Sequence, residues 1–509
     1  MMYSYHIFYF PFKWKIERNA NKIFAEQVSL NNIQPSVLSN WETNYSPQDQ
    51  EEQKELYNEK NYYFKFVHPV LYDDGTENSL VRHYERKEPK NEEVFYNIKI
   101  SKNGQVLDYR LRVVAINLNF YSTGVGMLSF YLENNEKDDF QSVLNINQYG
   151  RRIFPPFYKD IDVRSPIALS ISIDGLYGGT ERYTENFERY TTSMDWEPAL
   201  FLGNLIGDLQ ENLKILPVID DRMFVNCWYG NNKIADEFYL NEEECKRIEK
   251  ENQDLVIAKQ ILEEKQEKRL SDFLNKDFWY EYIFVDSSSP TCRNRMMKDK
   301  LLEDATYKRW QMDGSLYGVS RYSLVLLTSE SGFAKDVLQV HMRTIYSRMI
   351  ELVLVQRASM LRFSGEVTIL SRLSPTDTRE SAIKIASLYQ EYIRFVNQIF
   401  FRSVTSQDQG IELYQLFVNQ FELEKQIGDL EDEIGELHQY ISLLIEKAKS
   451  EQGALLNQIA AILLPATILT GFFGMNPIAS NDSWLSQGIL IVVVTLIVFF
   501  LLLNIKKLR

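Results

Sequence analysis

The residues with the most chemical content are Gly474, Met475 and Asn476, inside the stretch TGFFGMNP from Thr470 to Pro477. No charged residue stands between Glu451 and Asp482, so an apolar segment closes on a neutral amide. A ring of such amides, one from each of several copies of a helix, offers oxygen without fixed negative charge. That chemistry suits a small divalent cation such as Mg2+, which dehydrates reluctantly and keeps several of its waters. A carboxylate ring would draw cations more strongly, but conduction also requires the ion to leave. Asn476 is therefore the candidate filter and touches the divalent ion through its hydration shell, with Gly474 and Met475 beside it.

A second group of residues has the chemistry of a nucleotide site. In NQYGRRIFPPF, Arg151 and Arg152 follow Gly150, and Phe154 and Phe157 offer ring faces to a base. Planar guanidinium groups match phosphate oxygens. Asp220-Asp221-Arg222 opens a strand-like stretch and offers carboxylates to ribose hydroxyls or to an ammonium group. The plainer readings stand beside these: Arg151 and Arg152 as surface arginines in salt bridges, Asp220 and Asp221 as a turn. Neither GxxxxGK[ST] nor GxGxxG occurs, so no phosphate loop is offered. The three cysteines, Cys227, Cys245 and Cys292, form no CxxC pair and the five histidines are scattered. Neither a disulfide framework nor a zinc site is indicated, and a reducing compartment fits. With no nucleophile–base pair or metal constellation, the chain does not read as an enzyme.

Placing Asn476 at a membrane surface needs a spanning helix before it. Roughly 20 apolar residues cross a bilayer, and two segments supply them: residues 454–476 and, after an external loop at 477–484, residues 485–505. Lys447 and Lys449 precede the first span, and Lys506, Lys507 and Arg509 follow the second in a basic tail at 506–509. The loop has no basic residue, so both termini belong in the cytoplasm. The first span carries Asn457, Gln458, Thr467 and Thr470 besides Pro465, Gly471 and Gly474. These side chains either line a polar route or pack one span against another.

Upstream, Leu413, Leu416, Leu423, Ile427, Leu430, Ile434, Leu437, Ile441, Leu444 and Ala448 recur at alternating steps of three and four, with Gln420 in the one polar slot. This heptad seam predicts a coiled-coil-like stalk over 406–453. Nothing in the sequence between Gly410 and Pro465 demands a break, so one rod of roughly 100 Å is expected from Ile411 to Asn476. Before it, residues 1–330 mix strands and helices and 331–405 are helical, which predicts an α+β ligand-sensing domain and a helical neck. Strands are expected at Tyr3 to Phe10, Tyr62 to Leu71, Val94 to Ser101, Tyr109 to Asn119, Gly126 to Leu132, Ile167 to Ile173 and Asp221 to Tyr229, with a hairpin turn at Asn103-Gly104. Helices are expected at Asp138 to Tyr149, Pro198 to Leu213, Glu242 to Leu274, Lys335 to Arg362 and Thr378 to Phe401, and a loop at Asn40 to Glu59. A net charge of −14 argues against a nucleic-acid partner.

The order of these parts resembles the CorA-type magnesium channels: a cytosolic domain, a stalk helix, GMN at the end of the first span, a short loop, a second span and a basic tail. The resemblance covers about the last 100 residues. It implies a homopentamer in the bacterial cell membrane, with an α+β cytosolic domain, a long helical stalk and two transmembrane helices per subunit. Carried over by distance from the motif, the pore-lining positions are Leu456, Leu464 and Thr467; extending the seam rigidly gives Leu455, Gln458 and Ile462 instead. Here the motif is followed by Pro477 and a loop whose only acid is Asp482, a departure from the acidic family loop that weakens electrostatic capture of divalent ions. The length of the cytosolic part and the opening HIFYFPFKW look like the CorA-like proteins beside type III CRISPR systems. That likeness implies an antiviral membrane effector switched by a small nucleotide messenger, S-adenosylmethionine joined to AMP. The alternative it leaves open is a housekeeping magnesium channel closed by cytosolic magnesium.

Overall fold

The aromatic opening of the chain becomes a strand buried on both faces, β1 (Ser4–Ile16). Its side chains alternate with the period of two that a strand imposes. Phe8, Phe10, Phe12 and Trp14 enter one large apolar core, while Tyr5, Ile7 and Tyr9 point the other way. A strand with cover on both sides reads as a nearly continuous apolar run.

The structure, a computed structural model, describes residues 2–16, 30–33, 35, 39–43, 50–76, 79–86, 93–154, 167–187, 198–210, 212–219, 222–252, 254–372 and 378–474. The remaining strands are β2 (Trp41–Thr43), β3 (Val81–Arg86), β4 (Phe95–Lys102), β5 (Gln105–Tyr121), β6 (Val125–Asn134), β7 (Ser170–Asp174), β8 (Thr184–Asn186), β9 (Leu213–Pro217), β10 (Phe224–Gly230), β11 (Thr306–Tyr307), β12 (Ser315–Val319) and β13 (Ser323–Thr328). They form one sheet in the order β11-β12-β13-β10-β1-β6-β5-β4-β7-β8, with β3 on β5 carrying β2 and with β9 on β1. Among the described pairings β10 and β13 run parallel; the others are antiparallel.

The two faces of this sheet differ. On the Phe8 side, the helices Phe140–Tyr149, Leu200–Gly207 and Asp277–Phe284 bring Val143, Phe201, Leu205, Trp279 and Ile283 into an aromatic, dry core. On the Tyr9 side lies the helix Ile345–Leu370, and the contacts are polar. The hydroxyls of Tyr9 and Tyr131 both meet Ser347 at 2.9 Å, and Ser359 donates to Thr123 at 2.8 Å. By contacts the chain divides into two compact units. One is Met1–Thr368 with Ser387–Asp432; the described part of the other is 369–372, 378–386 and 433–474.

The α+β reading and most of the expected strands stand. Asn103 and Gly104 take φ of 53° and 76°, the left-handed pair that a tight hairpin turn requires. Three expectations are overturned. Tyr62 to Leu71 is not a strand: the helix Gln50–Tyr62 runs into it, and His68–Leu71 forms a single helical turn with a proline at its start. Of the loop expected from Asn40 to Glu59, Trp41–Thr43 is a strand, 44–49 lie outside the described residues, and the second half is taken by that first helix. Its acidic face is neutralised by Arg343 on Glu55 (2.5 Å) and Arg348 on Glu59 (3.2 Å). Glu242 to Leu274 is two helices, because Asp254 caps a new start by accepting from the Val256 amide.

Two predictions follow from the packing. A Cβ at Gly126 would come within 2.4 Å of the ring of Phe12, its cross-strand partner. Gly126→Ala should therefore lower stability by about 1–3 kcal/mol, read from the unfolding midpoint of the purified chain. Burial pushes both His6 and His83 down to about 4 from the ordinary 6.5. The folded chain then binds fewer protons than the unfolded chain between those values, so stability is complete above about pH 6.5 and falls as pH drops towards 4. A pH series of melting midpoints checks this, and His83→Gln should flatten the slope.

Candidate functional site

The helix Phe140–Tyr149 starts where Asp139 accepts a hydrogen bond from the Ser142 amide and stops at Gly150. A side chain at Gly150 would collide with Ile98 and Phe8, so the backbone passes close to the core there and brings Arg151 beside the residues that lead into β10. Arg151 is buried, and its carbonyl accepts from the Met223 amide at 2.7 Å. Next along the chain, Arg152 pairs with Arg222 in an isolated antiparallel bridge. The structure thus joins the two segments that the sequence offered separately, and sets Arg151, Arg152 and Arg222 around one crossing of the backbone. Asp220 and Asp221 lie outside the described residues, as does Phe157.

The aromatic partner is not the one expected. Phe154 is buried in the main core, held by apolar packing, and presents no open ring to a base. Tyr322 takes its place: the Arg151 guanidinium stands 5.6 Å from its ring, and its carbonyl accepts from the Val225 amide at 2.9 Å. With 42% of its surface open, Tyr322 keeps a face for stacking. The sequence reading missed it because β12 and β13 were not recognised as strands. The signal was the Ser-Arg-Tyr-Ser break at 320–323 between two short apolar runs, a hairpin turn in which Ser320 Oγ accepts from the amides of Tyr322 and Ser323.

Arg321, beside Tyr322 in that turn, reaches a helix end. Its Nε donates to the Gln420 carbonyl and its Nη2 meets the Glu422 carboxylate, both at 2.9 Å. Glu422 has φ of 53° and ends the helix Asp408–Phe421; the helix Leu423–Gly474 begins one residue later. The uninterrupted rod expected from Ile411 is therefore broken at Glu422. The cause is tertiary: Phe417 and Phe421 lie 6.4 and 6.2 Å from the Phe224 ring, and Arg357 sits 4.7 Å over Phe421. The core claims the first helix on a broad face and leaves the heptad seam to the second.

That second helix has 52 residues and spans about 78 Å. Its seam is as expected: Leu423, Leu430, Ile434 and Ile441 are buried and Ile427, Leu437 and Leu444 half-buried, while Glu424, Asp429, Glu431, Asp432, Glu433, Glu436 and Glu446 are exposed. Leu456 is 64% exposed. The backbone is helical through Leu464 and Thr467 to Gly474, and their side chains lie outside the described residues. Met475, Asn476 and the second apolar segment lie outside them altogether. Among the described residues no helix is long and apolar enough to cross a membrane, and no group of three or more His, Cys, Asp or Glu is placed to hold a metal ion.

No family model and no curated protein matches this chain. Among solved structures, the CorA magnesium transporter from Methanocaldococcus jannaschii is similar at 16% identity, over 57% of this chain and 93% of that one, with a TM-score of 0.20. An overlap that small does not carry a fold, so any family reading stands on the residues themselves.

The left-handed residue gives a direct test. A non-glycine there costs about 1–2 kcal/mol, whereas an exposed ion pair contributes about 0–1 kcal/mol. Glu422→Gly should leave the melting midpoint equal or raised despite losing its Arg321 contact, and Glu422→Val should lower it.

Proposed function

We propose that this chain is a CorA-like membrane channel for divalent cations, controlled by a nucleotide bound on its cytosolic sheet domain, and that it serves as an antiviral effector of a type III CRISPR system. The observation that carries the reading is one helix. It starts one residue after Glu422, which Arg321 grips, keeps its apolar seam turned from its acids, and runs unbroken to Gly474, the first residue of the GMN motif. A seam with a period of 3.5 residues is what several copies of one helix need to pack together, and five copies is the number the family implies.

In this reading the first apolar segment lines the pore, with Leu456 and Leu464 as dewetting constrictions, Thr467 as a polar position and Asn476 as the outer amide ring. Both termini are cytoplasmic, and the protein resides in the bacterial cell membrane. Arg151, Arg152 and Arg222 receive phosphate, and Tyr322 stacks on a base. The activating ligand is the conjugate of S-adenosylmethionine and AMP. Ligand on Tyr322 bears on the next residue in the same turn, Arg321, and through it on the first turn of the helix Leu423–Gly474.

Calorimetry on the detergent-solubilised full chain tests the ligand, and Mg2+ flux into proteoliposomes tests the pore. Arg151→Ala combined with Arg152→Ala should weaken nucleotide binding at least tenfold and leave the assembly intact. Asn476→Ala should abolish flux while nucleotide still binds. A chain that binds no nucleotide and closes when internal magnesium rises is the housekeeping channel instead; unchanged flux in Asn476→Ala contradicts both.

A further inference from the structure

The polar face of the sheet holds an arrangement that neither the pore nor the arginine cluster uses. Ser129 on β6 lies directly between Asn117 on β5 and Tyr9 on β1 in the sheet register. Above them runs the helix Ile345–Leu370, fixed by Ser347, which meets the Tyr9 and Tyr131 hydroxyls. Glu351, one turn further on, presents the same helix face. Its Oε2 accepts from Arg348 at 3.0 Å and from Asn119 at 3.5 Å, and Asn119 is two residues from Asn117 on the same side of β5. Three buried oxygens over this patch have no hydrogen-bond partner: Asn117 Oδ1, Ser129 Oγ and Glu351 Oε1. Ser129 is fully buried and Glu351 is 1% exposed.

The charges around them do not balance. Arg348 is shared between Glu351 and Glu59, with its Nε 3.2 Å from the Glu59 carboxylate. Glu55 is already matched by Arg343. His83, which meets Asn119 at 2.6 Å, is kept neutral by burial. Two carboxylates therefore face one guanidinium in a place where an uncompensated charge is costly. Burial pushes the Glu351 carboxyl up while Arg348 pulls it down. A proton on Oε1 or a water is the competing occupant, since the Ser129 hydroxyl donates as well as accepts, and neither would make the melting midpoint depend on which cation is present.

We propose that Asn117 Oδ1, Ser129 Oγ and Glu351 Oε1 together bind a small hard cation through an amide carbonyl, a hydroxyl and a carboxylate oxygen. These are the ligand types of alkali and alkaline-earth ions, and an ammonium ion meets the same oxygens with its hydrogens. The site neutralises the Glu59–Arg348–Glu351 triad and ties the helix Ile345–Leu370 to the sheet. It does not depend on the channel reading.

Melting midpoints of the full chain in detergent, titrated with NaCl, KCl, NH4Cl or MgCl2 against choline chloride at equal ionic strength, test it. One of the four cations should raise the midpoint saturably where choline does not, and the choice among them identifies the occupant. Asn476→Ala should retain the effect, which separates this site from the pore. Ser129→Ala, which leaves the ion pairs intact, should shift the titration at least tenfold towards higher cation, and Glu351→Gln should abolish it. The absence of any saturable effect, or a Ser129→Ala titration identical to that of the parent chain, overturns the proposal: the oxygens would then hold water only.

Discussion

The structure turns on the contact between Arg321 and the helix end at Gln420 and Glu422. A glutamate with positive φ is unfavourable by itself, and it persists because three things hold it. Arg321 bonds the Gln420 carbonyl and the Glu422 carboxylate, the Phe417–Phe421 rings sit against Phe224, and Gln426 donates to the Phe421 carbonyl at 2.8 Å. The helix before the break belongs to the core, and the helix after it is free to present a narrow seam. Because Arg321 shares its turn with Tyr322, the same four residues touch the arginine cluster on one side and this helix end on the other.

The sheet divides the labour of stability and specificity between its faces. The face bearing Phe8, Phe10, Phe12 and Trp14 excludes water by packing aromatic rings, several of them edge to face, and dominates the apolar burial. The opposite face bears Tyr9, Asn117, Asn119, Ser129 and Tyr131 and is closed by a helix whose buried surface includes Ser347, Glu351, Gln356 and Ser359. Polar groups placed so deeply are favourable only when each is satisfied. They make the docking of that helix specific in rotation and register, and they concentrate the unmatched oxygens in one patch.

Much of this was legible in the sequence where a pattern was local. Near-continuous aromatic and apolar runs exposed β1 and β6, and alternation exposed the first part of β5; Asn-Gly marked its own turn; the 3.5-residue seam marked the second helix residue by residue. What the sequence hid was set by distant partners. The acidic segment at 50–62 is a helix because Arg343 and Arg348, nearly 300 positions away, neutralise it. The break at Glu422 carries no glycine or proline, since Arg321 and Phe224 impose it from outside. Arg151, Arg152 and Arg222 were each visible as residue types, but their meeting depends on the pairing of Arg152 with Arg222. Phe154 read as an open ring and is core, because no local signal separates a buried aromatic from an exposed one.

In the channel we propose, several copies of one helix surround a hole through a bilayer, with an uncharged amide at its outer lip. Single-particle imaging of the purified full-length chain in lipid tests this most directly. Five copies should form a ring whose axis is bordered by the segment ending at Asn476. Isolated subunits, or a ring whose axis is bordered by the segment at 485–505, would contradict it.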